Sequence, residues 1–152
     1  MKIVKPPATL QNFGNTTIFL GGSIEMGKAQ DWQNDIIESC HGLPITFWNP
    51  RRDDWDSSWK QDPTPGTNFH GQVTWELDAQ EKADLCVYYF DPETQSPITL
   101  LEVGLFKDKN VVVCCPEGFW RKGNIDITCQ RYDVPMVKSL TDLILYIKRF
   151  VK

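Results

Sequence analysis

The chain has no apolar run long enough to cross a bilayer. Its apolar runs, such as Val111-Val112-Val113-Cys114-Cys115, fall far short of the roughly 20 residues that a membrane helix needs. The opening residues, Met1-Lys2-Ile3-Val4-Lys5-Pro6-Pro7, lack the apolar stretch of a secretory signal. A cytoplasmic protein with no membrane partner is expected. Basic residues are not in excess: 16 Lys and Arg stand against 20 Asp and Glu, a net charge of -4. Phosphate backbones are bound through basic patches, so no nucleic-acid polymer is expected as partner. Histidine is scarce. His41 and His70 are the only two, and neither sits in H-E-x-x-H. The five cysteines form no C-x-x-C pair. Neither a metal nor another cofactor is expected from these patterns. Nor is there a G-x-S-x-G for a serine hydrolase. An odd cysteine count fits reduced thiols packed as small core residues.

What is present is an alternation of strands and helices. The 152 residues suit one domain. Residues 1–15 read as an irregular lead-in, and residues 16–152 as the domain. Thr16 to Leu20 is β-prone and ends in Gly21-Gly22-Ser23. A helix is predicted from about Lys28 to Cys40, and a second strand over Pro44–Trp48, stopped by Asn49-Pro50. Phe69 to Ala83 carries helical spacing in Val73 and Leu77. Asp84 to Phe90 is nearly all apolar, as in a strand buried on both faces. Ser96-Pro97 predicts an N-capped helix to about Lys107. Asn110 to Cys115 is a further strand. A weak fifth strand is predicted near Ile125–Cys129 or Val134–Val137, and Ser139 caps a last amphipathic helix. Such alternation implies an α/β fold, a parallel sheet with helices on both faces. Ligands of such sheets sit outside the carboxyl ends of the strands. Three polar loops would converge there: Gly21-Gly22-Ser23, the stretch from Asn49, and Asp91 to Ser96.

Glu102 stands out. Its neighbours Ile98, Leu100, Leu101, Val103, Leu105 and Phe106 make a helix that is otherwise almost wholly apolar. A buried carboxylate is costly, so it needs a partner or a task. The start of the helix favours its charge, and burial opposes it. It is a candidate nucleophile; the plain alternative is a surface pair with Lys107 or Lys109. The Gly21-Gly22 doublet suggests close backbone approach to a ligand, or only a tight turn. Residues 49–68 form a long aromatic loop. There Arg51, Arg52, Asp53 and Asp54 lie beside Trp55 and Trp59. The cluster is either solvated charge or a ring-binding surface, with Asn49, Arg51, Asp54 and Trp55 as its contacts. Asp84 and Asp91 bracket one strand, and either could bind a base or sugar. Each also has an ordinary place at a strand boundary or turn.

Taken together, Thr17-Ile18-Phe19-Leu20-Gly21-Gly22-Ser23, Ala83-Asp84 and Ser96-Pro97-Ile98-Thr99-Leu100-Leu101-Glu102-Val103-Gly104 resemble the nucleoside 2-deoxyribosyltransferase family. Gln72-Val73-Thr74-Trp75-Glu76-Leu77 and Gly118 to Asn124 look like a divergent branch of it. The likeness runs from about residue 16 to residue 138. It implies a flavodoxin-like single domain that transfers deoxyribose between nucleobases. Glu102, followed two residues later by Gly104, matches the family's nucleophile, which forms a covalent sugar ester with retention at C1′. Asp84 matches an aspartate of the base-binding region. Substrates would be a nucleoside and a free nucleobase. The assembly would be a dimer or larger, with Asn124 or Asp126 reaching a neighbouring site. Two departures are visible. Ser96 stands six residues before Glu102, where the family often has aspartate, and Phe19 stands where it often has tyrosine. Tyr88 or Tyr89 could supply the missing hydroxyl. Two other activities remain open: hydrolysis of a nucleoside or of its 5′-monophosphate, with Arg51, Arg52, Arg121 or Lys122 on the phosphate, and nucleotide binding without turnover.

Overall fold

The computed structural model describes residues 1–25 and 29–152. Six parallel strands form one sheet in the order β1-β3-β2-β4-β5-β6. They are β1 (Lys2–Val4), β2 (Thr16–Gly22), β3 (Ile45–Trp48), β4 (Leu85–Tyr89), β5 (Val111–Cys114) and β6 (Met136–Val137). Without the β1 edge, the order is that of a flavodoxin-like sheet, whose switch point lies between β2 and β4. The central strands pair Ile18 with Leu85 through Gly22 with Tyr89. They read as continuous apolar runs because helices cover both faces.

Five helices complete the layers: α1 (Trp32–Ser39), α2 (Asn68–Lys82), α3 (Pro97–Phe106), α4 (Lys122–Arg131) and α5 (Leu140–Phe150). Trp32, Ile36, Leu143 and Ile147 of α1 and α5 pack with Ile18, Leu20 and Val87 on one face. Trp75, Ala79, Val103, Ile125 and Cys129 of α2, α3 and α4 pack with Phe19, Tyr88 and Val113 on the other. The five cysteines are buried and free. No helix among the described residues is long and apolar enough to cross a membrane.

Four local expectations change. The lead-in holds a strand: Lys2, Ile3 and Val4 pair with Thr46, Phe47 and Trp48. The Ile125–Cys129 stretch is α4, and its burial explains why. Ile125 and Cys129 are inside while Ile127 is 70% exposed, a spacing of four rather than two. The first helix begins at Trp32, where the Asp31 side chain accepts from the Asn34 amide; Lys28 lies outside the described residues. Ser96 does precede α3, but its backbone is left-handed (φ 47°) and its hydroxyl makes no cap.

Candidate active site

The carboxyl ends of β2 and β4 are knitted together by hydroxyls. Ser23 is buried at the end of β2. Its Oγ receives the Asp91 amide at 2.9 Å and the Thr94 hydroxyl at 2.8 Å, and lies 2.5 Å from Ser96 Oγ. Trp32 Nε1 donates to the Ser23 carbonyl. Two glycines make the approach possible. A side chain at Gly21 would strike the rings of Phe19 and Tyr88 at 2.8 Å. Gly22 has φ +143°, and a Cβ there would meet the Tyr89 backbone. At the start of α3, the Glu25 carboxylate accepts from the Gln95 and Ser96 amides. A carboxylate there complements the positive end of the helix.

Glu102 lies deeper than the strand ends, in the second turn of α3, on the flank facing α2. It is 7% exposed. Gln80 Nε2 of α2 donates to its Oε1 at 3.1 Å. Tyr88 in turn donates its hydroxyl to Gln80 Oε1 at 2.5 Å. A tyrosine thus holds Glu102 through an amide relay, where Phe19 offers no hydroxyl. The surface pairing does not occur: Lys107 bonds Asp108, and Lys109 bonds the Glu81 carbonyl.

The relay is part of a polar stripe. Gln72, Glu76 and Gln80 lie four residues apart on α2, so they share one face. That face points inward: Gln72 and Gln80 are buried, whereas Val73 is exposed and Leu77 only half-buried. Gln72 Nε2 donates to Glu76 Oε1 at 2.5 Å and to the Pro50 carbonyl at 3.1 Å. Burial pushes Glu76 up to about 7, against the Gln72 bond. Burial, and then the charge of Glu76, pushes Glu102 up to about 8 despite the Gln80 bond. Burial therefore outweighs the helix dipole at Glu102. Two carboxylates that repel one another and titrate so high share a proton near neutrality.

That coupling has a stability consequence. Folded carboxyls with raised values bind protons more tightly than the unfolded chain. Their stabilising contribution is complete below about pH 4.5 and is lost as pH rises through about 8. Glu102→Gln keeps the Gln80 bond and removes the ionisation. It is expected to match the wild type at pH 4.5 and to exceed it by on the order of 3 kcal/mol at pH 8.5 in urea unfolding. Equal stabilities at both pH values would show that Glu102 is not desolvated.

The other singled-out residues separate into places. Asp84 lies at the amino end of the sheet. Its Oδ2 accepts from the Thr17 amide and hydroxyl, both at 2.8 Å, tying β2 to β4. Its carboxylate is committed to Thr17 and takes no part in the Gln80–Glu102 relay. Asp91 shapes its loop, accepting from the Glu93 amide. Asn49 accepts from the Arg51 amide. Arg51 binds the Ala29 and Gln30 carbonyls and Gln33 Oε1. Asp54 pairs with Arg52, whose guanidinium lies 4.8 Å over Trp59. Trp55 packs edge-on against Trp59. Asn124 stands on α4, in a cleft of about 440 Å³ lined also by Leu100, Gly104 and Trp120. Leu100 and Gly104 leave α3 on the flank opposite Glu102. The structure thus joins Ser23, Asp91 and Ser96 at the carboxyl ends of β2 and β4, ties Asp84 to Thr17 at their amino ends, and sets Asn124 in the α4 cleft. Gln72, Glu76 and Gln80 were not singled out from sequence. Their four-residue spacing was the available signal.

The profile of the nucleoside 2-deoxyribosyltransferase-like family matches residues 15–119, more than half of the chain. The chain belongs to this family. The match covers β2, the polar stripe of α2, and α3 with Glu102. No curated protein matches. Among solved structures, a conserved protein from Enterococcus faecalis V583 is similar, with a TM-score of 0.60 and 15% identity over 89% of this chain and 98% of that one. At that identity the likeness speaks for the fold alone.

Proposed function

We propose that this family member transfers deoxyribose between nucleobases through an ester on Glu102, with Glu76 as proton donor. What supports this is a pair of carboxylates on α2 and α3, both raised by burial, one of them held by the Tyr88–Gln80 relay. An acceptor nitrogen of the base, bound at Glu76, keeps the shared proton there and leaves Glu102 charged. A Glu102 oxygen attacks C1′, and the C1′–N bond breaks. Its electrons pass to the base, which takes the Glu76 proton. A second base then attacks C1′, its proton returns to Glu76, and Glu102 leaves as carboxylate. Two inversions give net retention.

Nucleosides fit better than their 5′-monophosphates. The amides of Gln95 and Ser96, just before α3, are occupied by the Glu25 carboxylate, which repels a phosphate. Arg52 pairs with Asp54, Lys122 pairs with Asp126, and Arg121 stacks on Trp120. Water as acceptor gives hydrolysis by the same first step, and one experiment separates the two. Incubation of deoxyadenosine with isotopically labelled adenine is expected to move the label into deoxyadenosine. Free adenine accumulating without label in the nucleoside would make the protein a hydrolase. Neither event would leave only a binding module.

Association of copies is also proposed. Ile98, Leu101 and Leu105 form an apolar stripe on α3, 60%, 66% and 60% exposed. Isolated apolar residues on a surface are ordinary, but three along one helix face mark an interaction surface. Asn124, exposed on the neighbouring helix, is proposed to reach a second copy's site. Leu101→Glu is expected to shift the protein toward monomer in sedimentation and to lower exchange activity. An unchanged sedimentation coefficient would remove this face from the assembly.

A further inference from the structure

Gln72 carries a buried polar atom that nothing in the described residues satisfies. The residue is 6% exposed, and its Oε1 has no hydrogen-bond partner there. Both amide hydrogens are committed, one to the Pro50 carbonyl and one to Glu76 Oε1. That fixes the orientation of the amide. A flip would set two oxygens against each other at Pro50. A buried acceptor left unpaired costs on the order of 1–3 kcal/mol, so such atoms generally await a partner.

The position of this acceptor identifies the partner. The amide is clamped to one oxygen of Glu76, which leaves the other oxygen to carry the shared proton. A donor, the Glu76 hydroxyl, and an acceptor, Gln72 Oε1, therefore flank one hydrogen bond. Their complement is an acceptor beside a donor. Adenine presents this edge, with N7 as acceptor and the 6-amino group as donor. Guanine and hypoxanthine present N7 and O6, two acceptors, and O6 would face Gln72 Oε1. Protonation at N7 also draws electrons from the glycosidic bond, so the recognising edge is also the activated one.

We propose that Gln72 selects 6-aminopurine nucleosides over their 6-oxo counterparts, with its Oε1 accepting from the 6-amino group. This rests on the assignment of Glu102 and Glu76 made above. In the step, the C1′–N9 bond breaks as the Glu102 ester forms. The electron pair passes into the purine, and the Glu76 proton ends on N7. Neutral adenine leaves, and Glu76 is left as carboxylate.

The test compares kcat/KM for base release from deoxyadenosine and deoxyinosine, which differ at position 6. A tenfold or larger preference for deoxyadenosine is expected in the wild type, in keeping with one well-placed base contact. In Gln72→Met, which removes the acceptor at similar size, the ratio should fall to about twofold or less. The ratio is the readout because loss of the Glu76 bond would lower both rates together. A wild-type ratio near one, a preference for deoxyinosine, or a ratio unchanged in Gln72→Met overturns the role of Gln72. In each of those cases base is still released, so the failure is that of Gln72 alone, and the sugar adduct on Glu102 is judged separately by mass. If neither substrate releases base, the Glu102 assignment fails, and this inference with it. Should Gln72→Met not fold, the wild-type ratio alone decides.

Discussion

Glu102→Ala is expected to lose base exchange by roughly four orders of magnitude or more, as befits removal of a covalent nucleophile. The truncation also strips the Gln80 amide of its acceptor, which costs on the order of 1–3 kcal/mol of stability. Glu102→Gln separates the two effects. It keeps the volume and the Gln80 bond, so it folds at least as well, yet its amide oxygen cannot form the ester. Both variants should be equally inactive, with melting temperatures that differ in the opposite sense. Added formate, a carboxylate small enough for the space that Ala leaves, should restore part of the activity of Glu102→Ala and none of that of Glu102→Gln. A Glu102→Gln variant with even a tenth of wild-type turnover would mean that Glu102 does not touch the sugar.

The second large effect concerns the leaving base. Glu76→Gln should slow exchange of adenine roughly 10²- to 10⁴-fold, the usual range for loss of a general acid. The deficit should nearly vanish with 4-nitrophenyl 2-deoxyriboside, whose phenolate departs without a proton. A merely structural Glu76 would impair both substrates alike. The pH profile supplies a further sign. With nucleosides the wild type needs one proton on the pair, so its rate should rise near pH 7 and fall near pH 8. Those apparent values belong to the pair and not to either residue. In Glu76→Gln the high-pH fall should be absent, because no essential acid remains to be lost. The remaining limb should lie between the two wild-type limbs, because Glu102 then ionises alone and without the opposing Glu76 charge.

The sheet was legible where burial wrote it into composition. β4 and β5 are almost wholly apolar because helices cover both of their faces. Glu102 was legible for the complementary reason: a charge in an apolar helix has few explanations. The rest of the site was hidden by α2. The spacing of Val73 and Leu77 marks a helix without saying which side packs, and in the structure Gln72 and Gln80 are buried while Val73 faces solvent. Polar residues turned inward look like a solvent face until their partners are known. The partners come from β4 and α3, through Tyr88 and Glu102, and from the loop after β3, through Pro50. The glycine doublet shows the same limit. The doublet is consistent in sequence with close approach to a ligand or with a tight turn, and at Gly21 the rings of Phe19 and Tyr88 are what approaches. Short elements escape as well. The three residues of β1 acquire strand geometry from their pairing with β3, not from any pattern of their own.

The most direct measurement is the mass of the protein shortly after mixing with excess deoxyadenosine and quenching in acid. One added deoxyribosyl group is expected, found by peptide mapping on the segment that contains Glu102, discharged on addition of free adenine, and absent from Glu102→Gln. Adenine release by wild-type protein that never carries the sugar, or an adduct mapped to any other residue, would contradict the account.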